Sequence, residues 1–169
     1  MILLTPELHA ALRVNADHSA ESDHDPAPVA KFFNPQGGAA QGSTDAQHRW
    51  NGCGGAATWL ATELEDDGDT LFGWADLGFG CPELGCFSLS ELAGIRLPFG
   101  LGPSTVRLRR LLRTGIERDI GFATSVSLSS WADTARRAGS ISQAQSIIRR
   151  IESAPVPELP TDPESGKGG

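Results

Sequence analysis

Acidic and aromatic side chains that could perform chemistry cluster in the middle third of the 169-residue chain. Glu63 and Asp76 stand on either side of an Asp-Gly dipeptide, and Glu83 follows shortly afterwards. A pair of carboxylic acids can supply a general acid and a general base when burial raises the pKa of one of them. Trp59 and Trp74 lie close to these acids in the sequence and could provide such burial. The same residues could instead form a partly solvated sheet surface that binds a basic protein partner.

A β-hairpin is the element that must position these side chains. Residues 58–64 and 70–77 have strand-like patterns and flank Asp67-Gly68. This dipeptide is favoured in type I′ turns because both central residues need positive φ. With Asp67-Gly68 as a two-residue loop, Leu64 is expected to face Leu71.

The period of two along a strand divides this predicted hairpin into two faces. The expected core face is formed by aliphatic and small residues, namely Thr58, Leu60, Thr62, Leu64, Leu71, Gly73, Ala75 and Leu77. The opposite face mixes aromatic with acidic side chains, namely Trp59, Ala61, Glu63, Glu65, Phe72, Trp74 and Asp76. A slip of one residue in the pairing would exchange the two faces, so this prediction depends on the turn.

Metal binding and nucleophilic catalysis are less favoured interpretations. The conceivable zinc ligands are Cys53, Cys81, Cys86 and His48. Structural zinc sites usually show two closely spaced ligand pairs, and this set has only one pair. The run Asp66–Asp69 lacks the alternating ligands and distal glutamate of a calcium loop, and it reads better as a solvated turn. We therefore predict no catalytic residue, no metal and no cofactor.

Charge is distributed unevenly along the chain, whose formal net charge is −7. Residues 51–100 carry eight acids and one arginine, whereas residues 101–152 carry nine arginines and four acids. The acidic balance disfavours non-specific DNA binding, which needs a broad basic footprint. A predicted basic helix over 104–113 offers an alternative nucleic-acid site made of Arg107, Arg109, Arg110 and Arg113.

The remaining pattern predicts an α+β fold, with a small antiparallel sheet built around the 58–77 hairpin and flanked by short helices. Helices are expected at 5–16, 88–94, about 130–138 and 142–152, strands at 29–33 and 120–123, and a glycine-rich loop at 78–87. We assign residues 1–152 to one domain and residues 153–169 to a disordered tail. The absence of a signal-peptide pattern, of a membrane span and of a disulfide framework predicts a cytoplasmic protein.

Several motifs carry a family resemblance. They are Lys31-Phe-Phe-Asn-Pro35, Ala57-Thr-Trp-Leu60, Phe72-Gly-Trp-Ala-Asp-Leu-Gly-Phe-Gly-Cys-Pro-Glu-Leu-Gly85, Ser88-Leu-Ser-Glu-Leu92, Glu117-Arg118-Asp119 and Ser129-Ser-Trp-Ala132. With them the chain resembles the bacterial domain-of-unknown-function family 2958 over most of residues 1–150. The resemblance implies a small cytoplasmic protein of plasmids and integrative elements, often encoded among anti-restriction genes. It implies no established activity, so no site residue is carried over. Residues 36–54 and 103–114 depart from the family pattern and are predicted insertions.

These observations favour a non-enzymatic accessory protein of a mobile genetic element that binds a protein partner. The specific hypothesis is an acidic inhibitor of a host restriction or defence system that acts on nucleic acids. The expected contact residues are Trp59, Glu63, Trp74, Asp76 and Glu83. Two alternatives stay open, a small hydrolase or transferase that uses these carboxylates and a nucleic-acid accessory factor that uses the arginine helix.

Overall fold

A five-stranded antiparallel sheet forms the centre of the protein, and helices pack against both of its faces. The computed structural model describes residues 2–35, 57–78, 81–98 and 113–154. In this part of the chain the elements are α1 (Pro6–Asp17), β1 (Ala30–Phe33), β2 (Thr58–Leu64), β3 (Thr70–Asp76), β4 (Glu83–Ser88), α2 (Leu89–Gly94), β5 (Leu97–Pro98), β6 (Arg113–Thr114), β7 (Glu117–Arg118), α3 (Leu128–Ala138) and α4 (Ile141–Glu152). The strand order is β4-β3-β2-β1-β7, with β5 and β6 paired separately. The predicted α+β class is therefore confirmed.

Local capping signals fix where the helices begin and end. The side chain of Thr5 accepts a hydrogen bond from the amide of Leu8, and Ser88 accepts one from the amide of Glu91. Such bonds satisfy amides that have no partner inside the helix. Gly139 ends α3 in the left-handed region, with φ of 83°. These helix boundaries were predictable because each depends on residues within one turn.

The 58–77 hairpin forms, but its turn differs from the predicted one. Leu64 pairs with Leu71, as expected. Only Gly68 has positive φ, whereas Asp67 does not, so the type I′ prediction is wrong. The amide of Glu65 donates to the carbonyl of Thr70 and closes a four-residue loop. Next to this loop, the strands have the predicted register.

A β-bulge at Thr62 then changes the register for the rest of the hairpin. Ala61 pairs with Gly73 and Glu63 pairs with Phe72, which leaves Thr62 as the extra residue. The two predicted faces are wrong for this reason, because one extra residue exchanges the side chains on one half of a strand.

Gly73 makes the bulge possible. A Cβ atom at Gly73 would lie 1.9 Å from the carbonyl oxygen of Leu60, well inside van der Waals contact. The hydroxyl of Thr62 donates to the carbonyl of Phe72 at 3.1 Å and ties the bulge to the neighbouring strand.

Two hydrophobic cores lie on the two sides of the sheet. On the α1 side, helix and sheet residues pack together, including Leu3, Leu12, Phe32, Trp59, Ala61, Leu64 and Leu71. On the α3 side, two helices pack on the sheet residues Leu60 and Trp74. The helices α3 and α4 contribute Leu128, Trp131, Ile141 and Ile148 to this core. Trp59 and Trp74 are 6% and 0% exposed. The predicted exposed patch that joins these two tryptophans is therefore wrong, because they are buried on opposite sides.

Two further predictions fail along the chain. The segment predicted as a glycine-rich loop contains β4, which pairs with β3 along its whole length. The predicted strand at 120–123 is instead a turn and loop, in which Ile120 is exposed. The predicted insertion 36–54 lies outside the described residues, and so do the tail from 155 onward and residues 103–112.

Candidate functional site

A pocket of about 270 Å³ opens on the α3 side of the sheet. The segment before β1, strands β2, β3 and β4, and one face of α3 contribute its walls. Its apolar lining consists of Pro26, Phe72, Trp74, Leu84, Leu128 and Ala132. Its polar lining consists of His24, Asp25, Glu63, Ser129, Asp133 and Arg136. A concave apolar site with a few polar groups is the usual form of a binding site.

Glu63 reaches this pocket because of the bulge at Thr62. The bulge places Glu63 opposite Phe72 and on the same face of the sheet as Trp74. Its carboxylate lies 3.2 Å from Nε2 of His24, and the two side chains are only 9% and 13% exposed. A buried carboxylate needs such a partner because burial without hydrogen bonds is costly.

Asp25 fixes the segment before β1 to the beginning of α3. Its carboxylate accepts hydrogen bonds from the amide of Ser129 at 2.9 Å and from the hydroxyl at 2.5 Å. Burial alone would raise the pKa of Asp25, but the hydrogen bonds from Ser129 and Ser127 outweigh it and the pKa is lowered. The carboxylate is thus held ionised at one wall of the pocket.

Arg136 lies at the rim of the pocket, above the indole of Trp74. Its guanidinium is 4.9 Å from the ring centroid, within the range of a cation–π interaction. It also donates to Asp133 at 3.4 Å. The buried indole N–H of Trp74 has no hydrogen-bond partner among the described residues.

The pocket is acidic as a whole. Three carboxylates line it, from Asp25, Glu63 and Asp133, against the single guanidinium of Arg136. Because Arg136 is already close to Asp133, the surplus negative charge favours a cationic ligand.

The pocket brings together only two of the predicted contact residues, Glu63 and Trp74. Trp59 belongs to the core on the other side of the sheet. Asp76 is buried, and it accepts hydrogen bonds from the amides of Gly78 at 2.8 Å and Ile141 at 3.0 Å. Glu83 is exposed at the beginning of β4. Asp76 therefore anchors the beginning of α4, and the binding roles assigned to the five residues stay predictions.

The sequence analysis missed most of the polar lining, namely His24, Asp25, Ser129, Asp133 and Arg136. Asp25 and Ser129 are 104 residues apart, and no local pattern connects them. The motif Ser129-Ser-Trp-Ala132 carries a family resemblance and a helix-capping signal, but no signal of a pocket. The helical spacing of Ser129, Asp133 and Arg136 on one face of α3 was the signal that could have placed them together.

The acidic turn between β2 and β3 serves the hairpin itself. Asp67 accepts hydrogen bonds from the amides of Asp69 and Thr70 and from the hydroxyl of Thr70. Asp69 accepts from the hydroxyl of Ser88 at 2.6 Å and from the amide of Ser90 at 2.7 Å. Within the described part of the chain, no group of three or more His, Cys, Asp and Glu residues could hold a metal ion.

The alternative nucleic-acid site is mostly beyond the described residues. Arg107, Arg109 and Arg110 lie outside them, and Arg113 is described only as part of the backbone of β6. The prediction of a helix that includes Arg113 is wrong at this residue, because it pairs with Pro98 in a short antiparallel ladder. None of the described helices is long and apolar enough to cross a membrane.

Fold and site together define an α+β protein with a small acidic pocket beside the edge of its sheet. A family model described as protein of unknown function (DUF2958) matches residues 3–49 and 48–142. The chain belongs to this family, which confirms the resemblance seen in the sequence motifs. No curated protein and no solved structure matches the chain significantly.

Proposed function

We propose that this protein is a binding protein that receives one side chain of a protein partner in the acidic pocket. The pocket volume of about 270 Å³ carries the proposal. Pockets for small-molecule ligands usually span about 300–1,000 Å³, so this one lies at the small end of the range and has room for a single anchoring side chain. Single anchors in well-packed pockets supply much of the affinity in protein interfaces.

The pocket walls support this role. Asp25 and Glu63 are held in place by hydrogen-bond partners, and Trp74 forms a rigid apolar surface beside them. Such preorganised walls reduce the cost of ordering side chains when a partner binds. The surplus carboxylates would complement a basic partner and increase the rate of association.

The proposal extends to the setting of the protein. The family resemblance implies a protein of plasmids and integrative elements that is often encoded among anti-restriction genes, and enzymes that act on nucleic acids have basic surfaces. We propose that the partner is such a host defence enzyme in the cytoplasm and that binding inhibits it.

Charge reversal at the pocket rim tests the binding function. Asp133 is exposed, so Asp133→Lys should fold normally while it repels a cationic anchor. The control is Asp17→Lys, which reverses an exposed charge at the end of α1, on the other side of the sheet. We expect affinity capture from a bacterial lysate to retain the same partner with wild type and Asp17→Lys, and at least ten times less with Asp133→Lys.

Two results would overturn this proposal. One is the absence of any specific partner for the wild-type protein. The other is equal retention by Asp133→Lys and Asp17→Lys. Charge reversal at Glu63 or Asp76 would be a poor test, because both carboxylates are buried and a buried unpaired charge destabilises the fold.

A carboxylate-dependent hydrolase or transferase is the second candidate, and the contact between His24 and Glu63 favours it. Histidine and glutamate in one cavity can exchange a proton with a substrate. Assays with simple esters and phosphomonoesters separate the two functions. Turnover that Glu63→Gln abolishes would support an enzyme, whereas the binding proposal expects no turnover by either protein.

A further inference from the structure

The outer edge of β4 lies next to the pocket, and it is open as far as the described residues extend. In the described part of the chain, β4 is the last strand of the sheet and pairs only with β3. It is six residues long, whereas the strand at the opposite edge, β7, has two. A long unpaired edge is a template for another strand unless charges or prolines block it. The sequence Glu83–Ser88 holds one charge and no proline.

The hydrogen-bond pattern shows which backbone groups of β4 face outward. The amide of Leu89 donates to the carbonyl of Asp69, and the register pairs Gly85 with Gly73 and Phe87 with Leu71. Hydrogen-bonded and non-bonded pairs alternate in an antiparallel ladder. Gly85 and Phe87 therefore use their backbone groups towards β3, and the N–H and C=O groups of Leu84 and Cys86 face the open edge.

Leu84 connects this edge to the pocket. Its backbone faces outward, its side chain lines the pocket, and it is 49% exposed. A strand added to the edge would lie about 4.8 Å from β4, with alternate side chains on the pocket side. Glu63 is on β2, three strand spacings and roughly 14 Å from the added strand, so only a long side chain that enters beside Leu84 brings its polar end towards the carboxylates.

We propose that the partner is recognised as an extended basic segment that pairs with the outer edge of β4 and directs one arginine or lysine into the acidic pocket. This proposal rests on the proposed binding function and names the form of its partner. Main-chain hydrogen bonds would give affinity, and the pocket would give specificity, as in other cases of strand addition.

Charge argues against a second copy of this chain as the occupant. Residues 83–88 contain no lysine or arginine, so a second β4 strand would bring no cation to the pocket. It would instead bring another carboxylate, from Glu83, to an acidic surface.

The test uses a blocked seven-residue peptide of alternating threonine and valine with one central arginine. The matched peptide carries citrulline, which is neutral and of nearly the same shape, at the central position. Calorimetric titration of the full chain should give at least tenfold weaker binding for the citrulline peptide. Equal binding of the two peptides would overturn the basic anchor.

A proline substitution in β4 tests the strand pairing. Cys86→Pro removes an outward N–H that β3 does not use, which is a tolerated position for proline in an edge strand. Cys86→Ala is the control because it keeps the N–H. We expect at least tenfold weaker binding of the arginine peptide by Cys86→Pro and unchanged binding by Cys86→Ala. Equal binding by the two variants would overturn the pairing.

A second measurement covers the case in which Cys86→Pro unfolds. A peptide with N-methyl groups on its two inward-facing amides should lose at least tenfold in affinity for the wild-type protein, and retained affinity would contradict the pairing. If neither the arginine peptide nor the citrulline peptide binds, but Asp133→Lys still abolishes capture of a partner from the lysate, this inference fails while the proposed function stands.

Discussion

The two sides of the sheet differ in what they leave open. On the α1 side, Leu12, Leu64 and Leu71 are fully buried, and Trp59 belongs to the same core. On the α3 side, two helices seal one part of the sheet but leave the pocket around Glu63 and Trp74. A single bulge produces this difference, because it turns Leu64 into the α1-side core and Glu63 into the pocket.

The largest expected effect comes from breaking the bulge that creates this difference. Gly73→Ala places a methyl group 1.9 Å from the backbone oxygen of Leu60. We expect it to lower the free energy of unfolding by about 4 kcal/mol or more, or to prevent folding. Gly85→Ala is the matched control, since Gly85 lies opposite Gly73 and nothing is within 4 Å of its Cβ position. Its effect should be within about 0.5 kcal/mol.

Urea denaturation of both variants measures these values. Equal stability of Gly73→Ala and Gly85→Ala would contradict the role of Gly73 at the bulge.

The second effect compares a sealed side chain with an open one. Leu12→Ala creates a cavity in the α1-side core and should cost about 2–5 kcal/mol, without changing the affinity for the arginine peptide. Leu84→Ala should cost less than about 1 kcal/mol because Leu84 is half exposed, but it should weaken peptide binding. Thermal melts and calorimetric titrations test the pair. If Leu12→Ala and Leu84→Ala lowered the thermal stability equally and weakened peptide binding equally, the proposed separation of stability from binding would be wrong.

A smaller effect is expected at the wall of the pocket. Asp25→Ala removes the carboxylate that accepts hydrogen bonds at the beginning of α3. Loss of such a cap costs about 0.5–2 kcal/mol, and it should loosen the segment that carries His24. Asp23→Ala, an exposed neighbour, is the control and should stay within about 0.5 kcal/mol of wild type. Equal unfolding midpoints of the two variants in urea would argue against this anchor.

The smallest effect is a dependence on pH that arises in the hairpin turn. The hydroxyl of Thr70 lowers the pKa of Asp67 most, and the hydroxyl of Ser88 lowers the pKa of Asp69 most. A folded pKa below the unfolded value gives stability that is present above the ordinary aspartate pKa of about 4. This stability is lost as the pH falls through the folded pKa.

Acid unfolding of Asp69→Asn measures this dependence. The variant should be less stable than wild type at pH 7, and the difference should shrink below about pH 4. Asp17→Asn is the control for an exposed carboxylate outside the hairpin. A difference between Asp69→Asn and wild type that is constant with pH would contradict the assignment.

The sequence predicted the parts of this molecule that depend on neighbouring residues. Thr5, Ser88 and Gly139 mark helix ends through bonds within one turn, and Leu64 faces Leu71 because the loop between them is short. The bulge was not predictable from the alternation of side chains. The need for glycine at position 73 becomes visible only when the backbone of Leu60 is known to lie beside it. Strand β4 escaped prediction because glycine and cysteine give little strand signal at an exposed edge.

The candidate site was only partly predictable for the same reason. Glu63 and Trp74 were singled out by residue type, and both line the pocket. Trp59 was placed with them only through the wrong register. Asp76 is on the same side of the sheet as Trp74, but it bonds to the beginning of α4 and does not line the pocket. The remaining walls come from segments about 40 and 65 residues away in the chain, and only the packing of α3 on the sheet unites them with Glu63.

The central claim is that a basic side chain enters the pocket on the α3 side, and two indole signals test it most directly. Trp74 lines the pocket, whereas Trp59 belongs to the core on the other side. In a nitrogen-15 NMR titration with the arginine peptide, we expect the Trp74 indole signal to shift and the Trp59 signal to stay in place. Equal shifts of both signals, or a shift of Trp59 alone, would contradict the account.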